Sequence, residues 1–413
     1  MNEPAVDLGG RAVSALGFVV MLVIAYASSS DRSRIPWRTV AWGVALQLSL
    51  GLLLLETPVG RLFFDIMNGV VGALTRYTDA GVRFVFGALV DTGFSFVVNV
   101  LPVIVVMGSL FAVLYHLGVL QRVVDALSAA LSRTMRTSGA ESLAAVANLF
   151  VGMTESVLIV RPYLEQMTRS ELFVLMTLGM STVAGSVMLA YVAMLGPEFA
   201  GHLATASLLS VPAGLLVAKM MVPETGRPVT AAGAHAHVER DSVNLIDAAA
   251  QGALAGLRLA AYVGAMLLAF VALIALVNDG LALLGGWVGL PELTLQRMLG
   301  VVLAPVAWVM GVPWQDAAQV GALLGIKTVL NEFLAYQELA GLMAEGALAP
   351  RSVLIASYAL CGFANFGSLA ILFGGLAGLA PGRRQDVARF GLRSILSGTL
   401  ASFMTACVVG VLG

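Results

Sequence analysis

The chain alternates long apolar runs with short polar stretches, and many of the apolar runs have the length of membrane-spanning helices. A helix needs about 20 mainly apolar residues to cross a bilayer. Eight runs approach or exceed that length, at residues 12–30, 38–55, 93–116, 171–195, 204–222, 257–278, 318–338 and 390–413. The pattern predicts an all-α polytopic membrane protein with eight transmembrane helices.

Other segments between these runs are too short, too polar or too interrupted to cross. They lie at residues 57–85, 118–137, 140–167, 285–315 and 352–378. Irregular backbone at membrane depth is tolerated only where it is buried in protein or lines a cavity. We therefore predict re-entrant helical hairpins at 140–167 and 352–378, an interfacial segment at 285–315 and an amphipathic connector at 57–85.

The distribution of arginine predicts the orientation. The loops at 31–38, 121–136 and 381–393 are rich in arginine, whereas 196–203 contains no Lys or Arg. Short loops rich in Lys and Arg face the cytoplasm. This predicts both termini outside, with both hairpins entering and leaving from the cytoplasmic side.

A polar stretch divides the chain into two halves of similar layout. We expect N-terminal scaffold helices in 1–92, a first repeat half in 93–222, a cytoplasmic linker at 223–244 and a second repeat half in 245–413. Each half carries a polar sequence inside an interrupted apolar segment, ANLFVGMTES in the first and CGFANFGSLA in the second. Corresponding interruptions of this kind indicate an inverted-repeat transporter with its ligand site between the repeats.

Composition agrees with a membrane protein and excludes several other classes. Hydrophobic residues make up 59% of the chain and charged residues 11%, with a mean hydropathy of +0.92; soluble domains are about 25% charged. The net charge of −1 leaves no large basic surface for nucleic acid, so the lipid bilayer is an expected partner and nucleic acid is not. No phosphate-binding glycine loop or nucleophile motif is present, which disfavours an ATP-driven pump or an enzyme.

Two acidic residues stand inside apolar segments, Glu155 in TESVLIVRPYL and Glu332 in GIKTVLNEFLAY. Ionisable residues within a membrane cost a few kcal/mol each on insertion scales, so they are candidates for function. The alternative is structural, with Glu155 paired to Arg161 and Glu332 paired to Lys327.

The neighbours of these carboxylates favour ligand binding. Thr154 precedes Glu155, and the second interruption supplies Asn365 and Ser368 with the aromatic Phe363 beside them. Carboxylates, amides, hydroxyls and aromatic faces together suit a polyhydroxylated ligand with a flat ring, because each ligand hydroxyl must replace its lost hydrogen bonds to water.

At these residues the sequence resembles the concentrative nucleoside transporter family. The resemblance runs from about residue 93 to residue 413 through motifs in a fixed order: TESVLIVRPYLEQMTRSEL, MSTVAGSVMLAY, TASLLSVPAGLLVAK, GVPWQDA, GIKTVLNEFLAY and YALCGFANFGSLAILFGGLAGLAP. It implies a homotrimer in an inner or plasma membrane, with one nucleoside site in each protomer. It also implies symport with sodium or, in some members, with protons.

The family pattern implies roles for individual residues. Met153, Thr154 and Glu155 face the base, and Val187 packs near it. The ribose hydroxyls are held by Glu332, Asn365 and Ser368, while Phe363 lines the pocket. A sodium ion is held by Asn148, Thr182 and the carbonyls of Val151 and Val183, oxygen ligands of the kind that hard cations prefer.

The chain departs from the family pattern at three places, one of which is ESV at 155–157 where many bacterial members have EAP. Many bacterial members have glutamine where Met153 stands, so a hydrogen-bonding amide is lost on the base side. Thr182 replaces a serine that often occupies this position, and it keeps the hydroxyl that sodium needs. The ribose side is unchanged.

Alternatives remain open at the level of sequence. A proton-coupled carrier for a nucleoside or another polar solute would use Glu155 or Glu332 as the titrating group. A channel or a passive membrane scaffold is the alternative from a different class, distinguished by the absence of substrate accumulation.

Overall fold

The architecture comes from a computed structural model that describes residues 8–92, 95–231, 233–234, 242–287, 289–290 and 292–413. Parts of the expected N-terminal region, third span, linker and interfacial segment lie outside the described residues, at 1–7, 93–94, 232, 235–241, 288 and 291. Within those ranges the chain is helical and contains no strand.

The helices are α1 (Leu8–Ala27), α2 (Trp37–Glu56), α3 (Pro58–Phe86), α4 (Phe96–Asn99), α5 (Leu101–His116), α6 (Val119–Met135), α7 (Gly139–Asn148), α8 (Met153–Ile159), α9 (Arg169–Ser181), α10 (Gly185–Leu195), α11 (Phe199–Met221), α12 (Leu245–Trp287), α13 (Leu295–Val309), α14 (Trp314–Val329), α15 (Glu332–Ala344), α16 (Pro350–Leu360), α17 (Phe366–Leu379) and α18 (Arg384–Leu412). Short 3₁₀ turns lie at Arg32–Arg34, Gly87–Thr92, Arg161–Gln166 and Pro381–Arg383.

Seven segments of the described chain are long and apolar enough to cross a membrane as single or slightly broken helices. They are α1, α2, α4 with α5, α9 with α10, α11, α12 and α18. These confirm the first six predicted spans and the last. The helix α12 has 43 residues, or roughly 65 Å, and extends well beyond its predicted run at 257–278.

The pair α5 and α12 forms a tight contact without intervening side chains. A methyl group added at Gly252 would lie 2.4 Å from the carbonyl oxygen of Gly108, and one added at Gly256 would lie 2.7 Å from that of Ile104. Small residues permit this close approach of backbones in a membrane, where dispersion contacts rather than water exclusion hold helices together.

The first hairpin forms as predicted. The helices α7 and α8 pack against each other across a break at residues 149–152. Gly152 has φ of +98°, a conformation that a side chain would strain, and so allows the sharp reversal. Both feet of the hairpin meet the start of the linker: the N–H of Gly139 donates to the carbonyl of Thr230, and Thr168 Oγ1 donates to Glu224.

The second hairpin is not at 352–378, and this prediction was wrong. It is the segment of α14 and α15, which contains the run at 318–338 expected to cross. Asp316, at the start of α14, accepts hydrogen bonds from the N–H of Ala349 (2.9 Å) and from Ser352 Oγ (2.5 Å), just beyond the end of α15. The two ends of this segment therefore lie at one side.

The segment of α16 and α17 crosses instead. Arg351, in the first turn of α16, donates to the carbonyl of Gly410 (2.6 Å) at the end of α18, whereas α17 leads directly into the beginning of α18. Residues 350–379 thus run antiparallel to the whole of a 29-residue helix. The totals of eight crossings and two hairpins are unchanged, but these two segments exchange roles.

The two hairpins enter from opposite sides, which corrects the expectation that both enter from the linker side. The start of α1 lies beside the end of α18, since Arg11 donates to the carbonyl of Leu412. The foot of the second hairpin is on the same side, because Arg351 donates to the carbonyl of Gly410 in α18. The helices α6 to α11 correspond in order to α13 to α18. In this inverted arrangement α8 packs against α17, and α15 packs against α10.

The segment predicted as interfacial at 285–315 is not one element. It contains the end of α12 and the whole of α13. Residues 285–287 end α12, and α13 packs along α14, with a turn of 116° between their axes.

Candidate functional site

One cavity of about 910 Å³ lies where the two hairpins and the breaks of the spans α9/α10 and α16/α17 meet. All the residues predicted to bind the substrate line it: Met153, Thr154, Glu155, Val187, Glu332, Phe363, Asn365 and Ser368. Its volume lies at the upper end of the usual range for ligand pockets. The inverted repeat brings together residues that are more than 200 positions apart.

Glu332 occupies the first turn of α15, where the partial positive charge of a helix N-terminus favours a carboxylate. It is buried, and Oε1 accepts from the hydroxyl of Tyr191 at 3.0 Å while Oε2 accepts from Asn365 Nδ2 at 2.8 Å. Hydrogen bonds to both oxygens hold the carboxylate at the cavity wall in one orientation.

Glu155 likewise lies in the first turn of a helix, as the third residue of α8. Its side chain is exposed to the cavity, and Oε2 accepts from Thr154 Oγ1 at 2.8 Å. It keeps unused acceptor capacity facing the space. The two carboxylates thus come from opposed hairpins and belong to the same site.

Neither carboxylate forms an ion pair with a described residue. The alternative, in which Glu155 pairs with Arg161 and Glu332 with Lys327, is therefore not observed. Arg161 lines the same cavity but is not within ion-pair distance of Glu155. Lys327 Nζ donates to the carbonyl of Ala359 at 2.8 Å rather than to Glu332.

Asn365 links the cavity to the broken span. Its Oδ1 accepts from the N–H of Ser368 at 2.7 Å and caps α17, while its Nδ2 holds Glu332. An N-cap residue satisfies one of the free N–H groups at a helix start. One side chain therefore fixes both the beginning of α17 and the carboxylate of the opposite element.

The residues predicted to hold sodium lie around the break between α9 and α10. Asn148 Nδ2 donates to Thr182 Oγ1 (2.6 Å) and to the carbonyl of Leu178 (2.9 Å), so two predicted ligands are in direct contact. Val151 lines the cavity itself. The carbonyl of Val183 accepts from Ser207 at 3.0 Å and retains a second lone pair.

The donor set suits a hard cation. Asn148 Oδ1 is buried and has no hydrogen-bond partner among the described residues, an unusual state for a buried amide oxygen. The C-terminal ends of α7 and α9 also meet here, and the partial negative charge of helix C-termini favours a cation.

Sequence reasoning missed two aromatic members of the site. Tyr191 is fully buried and donates to Glu332, and Phe333 packs edge-on against it with ring centroids 4.9 Å apart. Both stand in apolar runs, where they read as ordinary core. A buried tyrosine needs a partner for its hydroxyl, and that requirement is the signal that could have found Tyr191.

The cavity extends towards the linker side. There it is bordered by His116 and Ser242, whose Nδ1 and Oγ atoms lie 2.7 Å apart, and by Gln251. The described lining residues therefore connect the carboxylates with the side on which the linker lies.

An inverted pair of hairpins whose tips and neighbouring helix breaks enclose a cavity on which polar side chains converge defines a secondary membrane transporter. Models of known families match in three consecutive regions: "Na+ dependent nucleoside transporter N-terminus" at residues 16–89, "Nucleoside recognition" at 97–198 and "Na+ dependent nucleoside transporter C-terminus" at 202–410. The chain belongs to the Na+ dependent nucleoside transporters, the concentrative nucleoside transporter family. It is a transporter and not an enzyme.

Relatives and solved structures agree over the whole chain. An uncharacterized transporter of Bacillus subtilis, YutK, is 45% identical over 96% of this chain and 98% of its own length. Solute carrier family 28 member 3 of Homo sapiens is 41% identical over 97% of this chain and 60% of its own length. The structure of CNTnw in an inward-facing substrate-bound state has a TM-score of 0.92 at 44% identity and covers 98% of both chains.

A double variant of CNTnw in an outward-facing state has a TM-score of 0.93, again at 44% identity over 98% of both chains. Solved relatives thus occur in both states of an alternating-access cycle.

Proposed function

We propose that this chain takes up nucleosides by symport with sodium and binds them in the cavity between the two hairpins. The observation that supports this most is the convergence of Glu155 and Glu332, from opposed hairpins, on one cavity. In the proposed binding mode Thr154 and Glu155 contact the base, with Met153 and Val187 beside it.

The ribose would lie against the second hairpin and the break of α16/α17. Glu332 offers acceptors for two hydroxyls, Asn365 and Ser368 add further hydrogen-bonding groups, and Phe363 covers the sugar. Hydrogen bonds to a charged acceptor contribute about 1.5–3 kcal/mol each, enough to select a ligand with paired hydroxyls.

The coupling sodium would be held by Asn148, Thr182 and the carbonyls of Val151 and Val183. The unpartnered Asn148 Oδ1 supports this assignment. Because the N–H of Gly185 donates to the carbonyl of Leu149 at 3.0 Å, the cation site is joined to the hairpin tip that carries Glu155. A bound cation would thereby stabilise the base-binding conformation of that tip.

Transport assays in proteoliposomes test the proposal. Labelled uridine or adenosine should accumulate under an inward sodium gradient and not under a potassium gradient of equal size. Asn148→Leu removes the amide oxygen and should abolish the accumulation that the sodium gradient drives. Uptake that ignores every cation gradient would refute the coupling, and uptake without accumulation would indicate a channel.

Proton coupling is the alternative, supported by the two carboxylates in the cavity. It predicts accumulation driven by an inward proton gradient in sodium-free buffer. Sodium and proton gradients imposed separately on the same vesicles distinguish the two.

Three further features belong to the proposal. The chain would assemble as a homotrimer in an inner or plasma membrane, with a complete site in each protomer and both termini outside. Light scattering of the purified protein, corrected for detergent, would measure the number of chains.

The hairpins and the spans they pack against would move as one block past α5 and α12, exposing the cavity to each side in turn.

A further inference from the structure

Four helix C-termini meet in two corresponding pairs at the breaks of the repeats. In the first repeat α7 and α9 end together, joined by Asn148 at the carbonyl of Leu178. In the second repeat α14 and α16 end together, joined by Lys327 at the carbonyl of Ala359. Each pair brings together the negative ends of two helix dipoles.

The two pairs differ in the charge that meets them. The last turns of α7 and α9 contain no basic residue, so neither of these two helices supplies a side-chain cation to the first pair. The last turn of α14 contains Lys327, which is fully buried, with its Nζ 2.8 Å from the Ala359 carbonyl. No described carboxylate forms an ion pair with it.

A buried ammonium without a carboxylate partner needs compensation from other groups. The other lysine of the chain, Lys219, receives that compensation in the ordinary way, from Glu141 at 2.5 Å and Glu224 at 3.4 Å. Lys327 instead donates to one carbonyl, that of Ala359 near the C-terminal end of α16, and it stands in the last turn of α14, so the negative ends of two helix dipoles lie near its ammonium.

We infer that Lys327 is a built-in cation, which takes in the second repeat the place that the coupling sodium takes in the first. This inference rests on the proposed sodium site at Asn148. The second hairpin, which carries Glu332, would then keep its charge balance throughout the cycle. The first hairpin, which carries Glu155, would have a balancing positive charge only when sodium binds. Lys327 is thus a positioning residue for the ribose side, and a single repeat supplies the sodium dependence.

Nucleoside binding to purified full-length variants tests the inference. Lys327→Met keeps length and removes the charge, and at saturating sodium it should weaken uridine binding roughly tenfold or more, as for a cation lost from a buried helix C-terminus. Lys327→Ala removes the charge and opens space for an ion. Its binding should depend more steeply on sodium concentration than that of the wild type, because a second sodium ion replaces the ammonium.

The double variant Lys219→Met/Glu141→Gln is the matched control, since it removes the other buried ammonium together with the nearer of its two carboxylate partners. Its sodium dependence should be as steep as that of the wild type. Wild-type affinity in folded Lys327→Met, or unchanged steepness in Lys327→Ala, would overturn the inference.

Failure to fold is covered by Lys327→Arg, which keeps the charge. If both neutral variants fail to fold and the arginine variant folds and binds, the inference is supported; if the arginine variant also fails, shape rather than charge is required and the inference is overturned. If the wild type binds uridine without sodium, the proposed coupling fails. The comparison of Lys327→Met with the wild type still decides whether the ammonium maintains the ribose side.

Discussion

The carboxylate of Glu332 is held at both of its oxygens. It accepts from Tyr191 at one oxygen and from Asn365 at the other, so both neighbours act as donors towards it. A ligand hydroxyl must join this arrangement as a further donor, using the remaining lone pairs. The site therefore requires an acceptor at both oxygen positions.

Glu332→Gln should abolish measurable uptake. The amide places one N–H₂ group where an acceptor is required, and loss of hydrogen bonds to a charged group costs about 1.5–3 kcal/mol each, or roughly tenfold to a hundredfold in affinity. Glu338→Gln, at an exposed position of the same helix α15, is the control and should transport as the wild type does. Normal uptake in Glu332→Gln would remove the ribose role.

Met153 lies on the proposed base side of the cavity, and the family resemblance implies a glutamine at this position in many bacterial members. We expect Met153→Gln to change the order of preference among nucleosides and to improve binding of one base about fivefold, the effect of one additional hydrogen bond. Competition by a panel of nucleosides against one labelled substrate measures this. Met153→Leu, which changes shape without polarity, should leave the order unchanged; the same altered order in both variants would contradict the interpretation.

At the scale of elements, the foot of the first hairpin is fixed by a buried ion pair. Lys219 of α11 contacts Glu141 of α7, and it also receives support from Ser170 Oγ at 3.0 Å. The side chains of both charged residues are almost inaccessible to solvent. Removal of one partner leaves an uncompensated buried charge, which is far more costly than removal of both.

Lys219→Met should lower the free energy of unfolding by about 3–5 kcal/mol. Thermal unfolding of the purified protein measures the loss as a reduced Tm. The double variant Lys219→Met/Glu141→Gln should recover much of it, because the stranded carboxylate becomes neutral. An equal or larger loss in the double variant would show that packing, rather than charge, holds the foot.

Hydropathy located the helices but could not distinguish a hairpin from a broken span. Both 314–344 and 350–379 consist of two helices around a polar break, and their apolar content is similar. What separates them is tertiary: Asp316 holds the two ends of the first segment together, and Arg351 holds the start of the second at the far end of α18. No local pattern encodes those contacts.

The candidate site was easier to predict from sequence than the topology. Its residues stand in motifs whose composition demands an explanation, such as a glutamate within an apolar run. Tyr191 was not predicted, because nothing in a local apolar helix indicates that a hydroxyl will meet a carboxylate 141 positions away.

For the whole molecule, the opposed entry of the hairpins gives a direct test of topology. Gln166, at the foot of the first hairpin, and Glu345, beyond the end of α15, are both exposed. With both native cysteines buried, Gln166→Cys and Glu345→Cys supply the reactive thiols. A membrane-impermeant maleimide applied to intact cells should label Glu345→Cys and should reach Gln166→Cys only after permeabilisation.

Labelling of both positions from the same side would contradict the inverted arrangement. Labelling in the reverse order would keep the arrangement and place both termini inside. The control is the unmodified chain, which should not react in either preparation.

The hydrogen bond between Asn365 and Glu332 also bears on the entropy of binding. The amide of Asn365 accepts from the N–H of Ser368 at the start of α17 and donates to the carboxylate of Glu332. Both side chains are therefore ordered before a ligand arrives. A ligand that meets already ordered groups loses less free energy to immobilising side chains. If the ribose binds here as proposed, it meets a rigid template, so nucleosides with altered ribose hydroxyls should be rejected by mismatch rather than accommodated by adjustment.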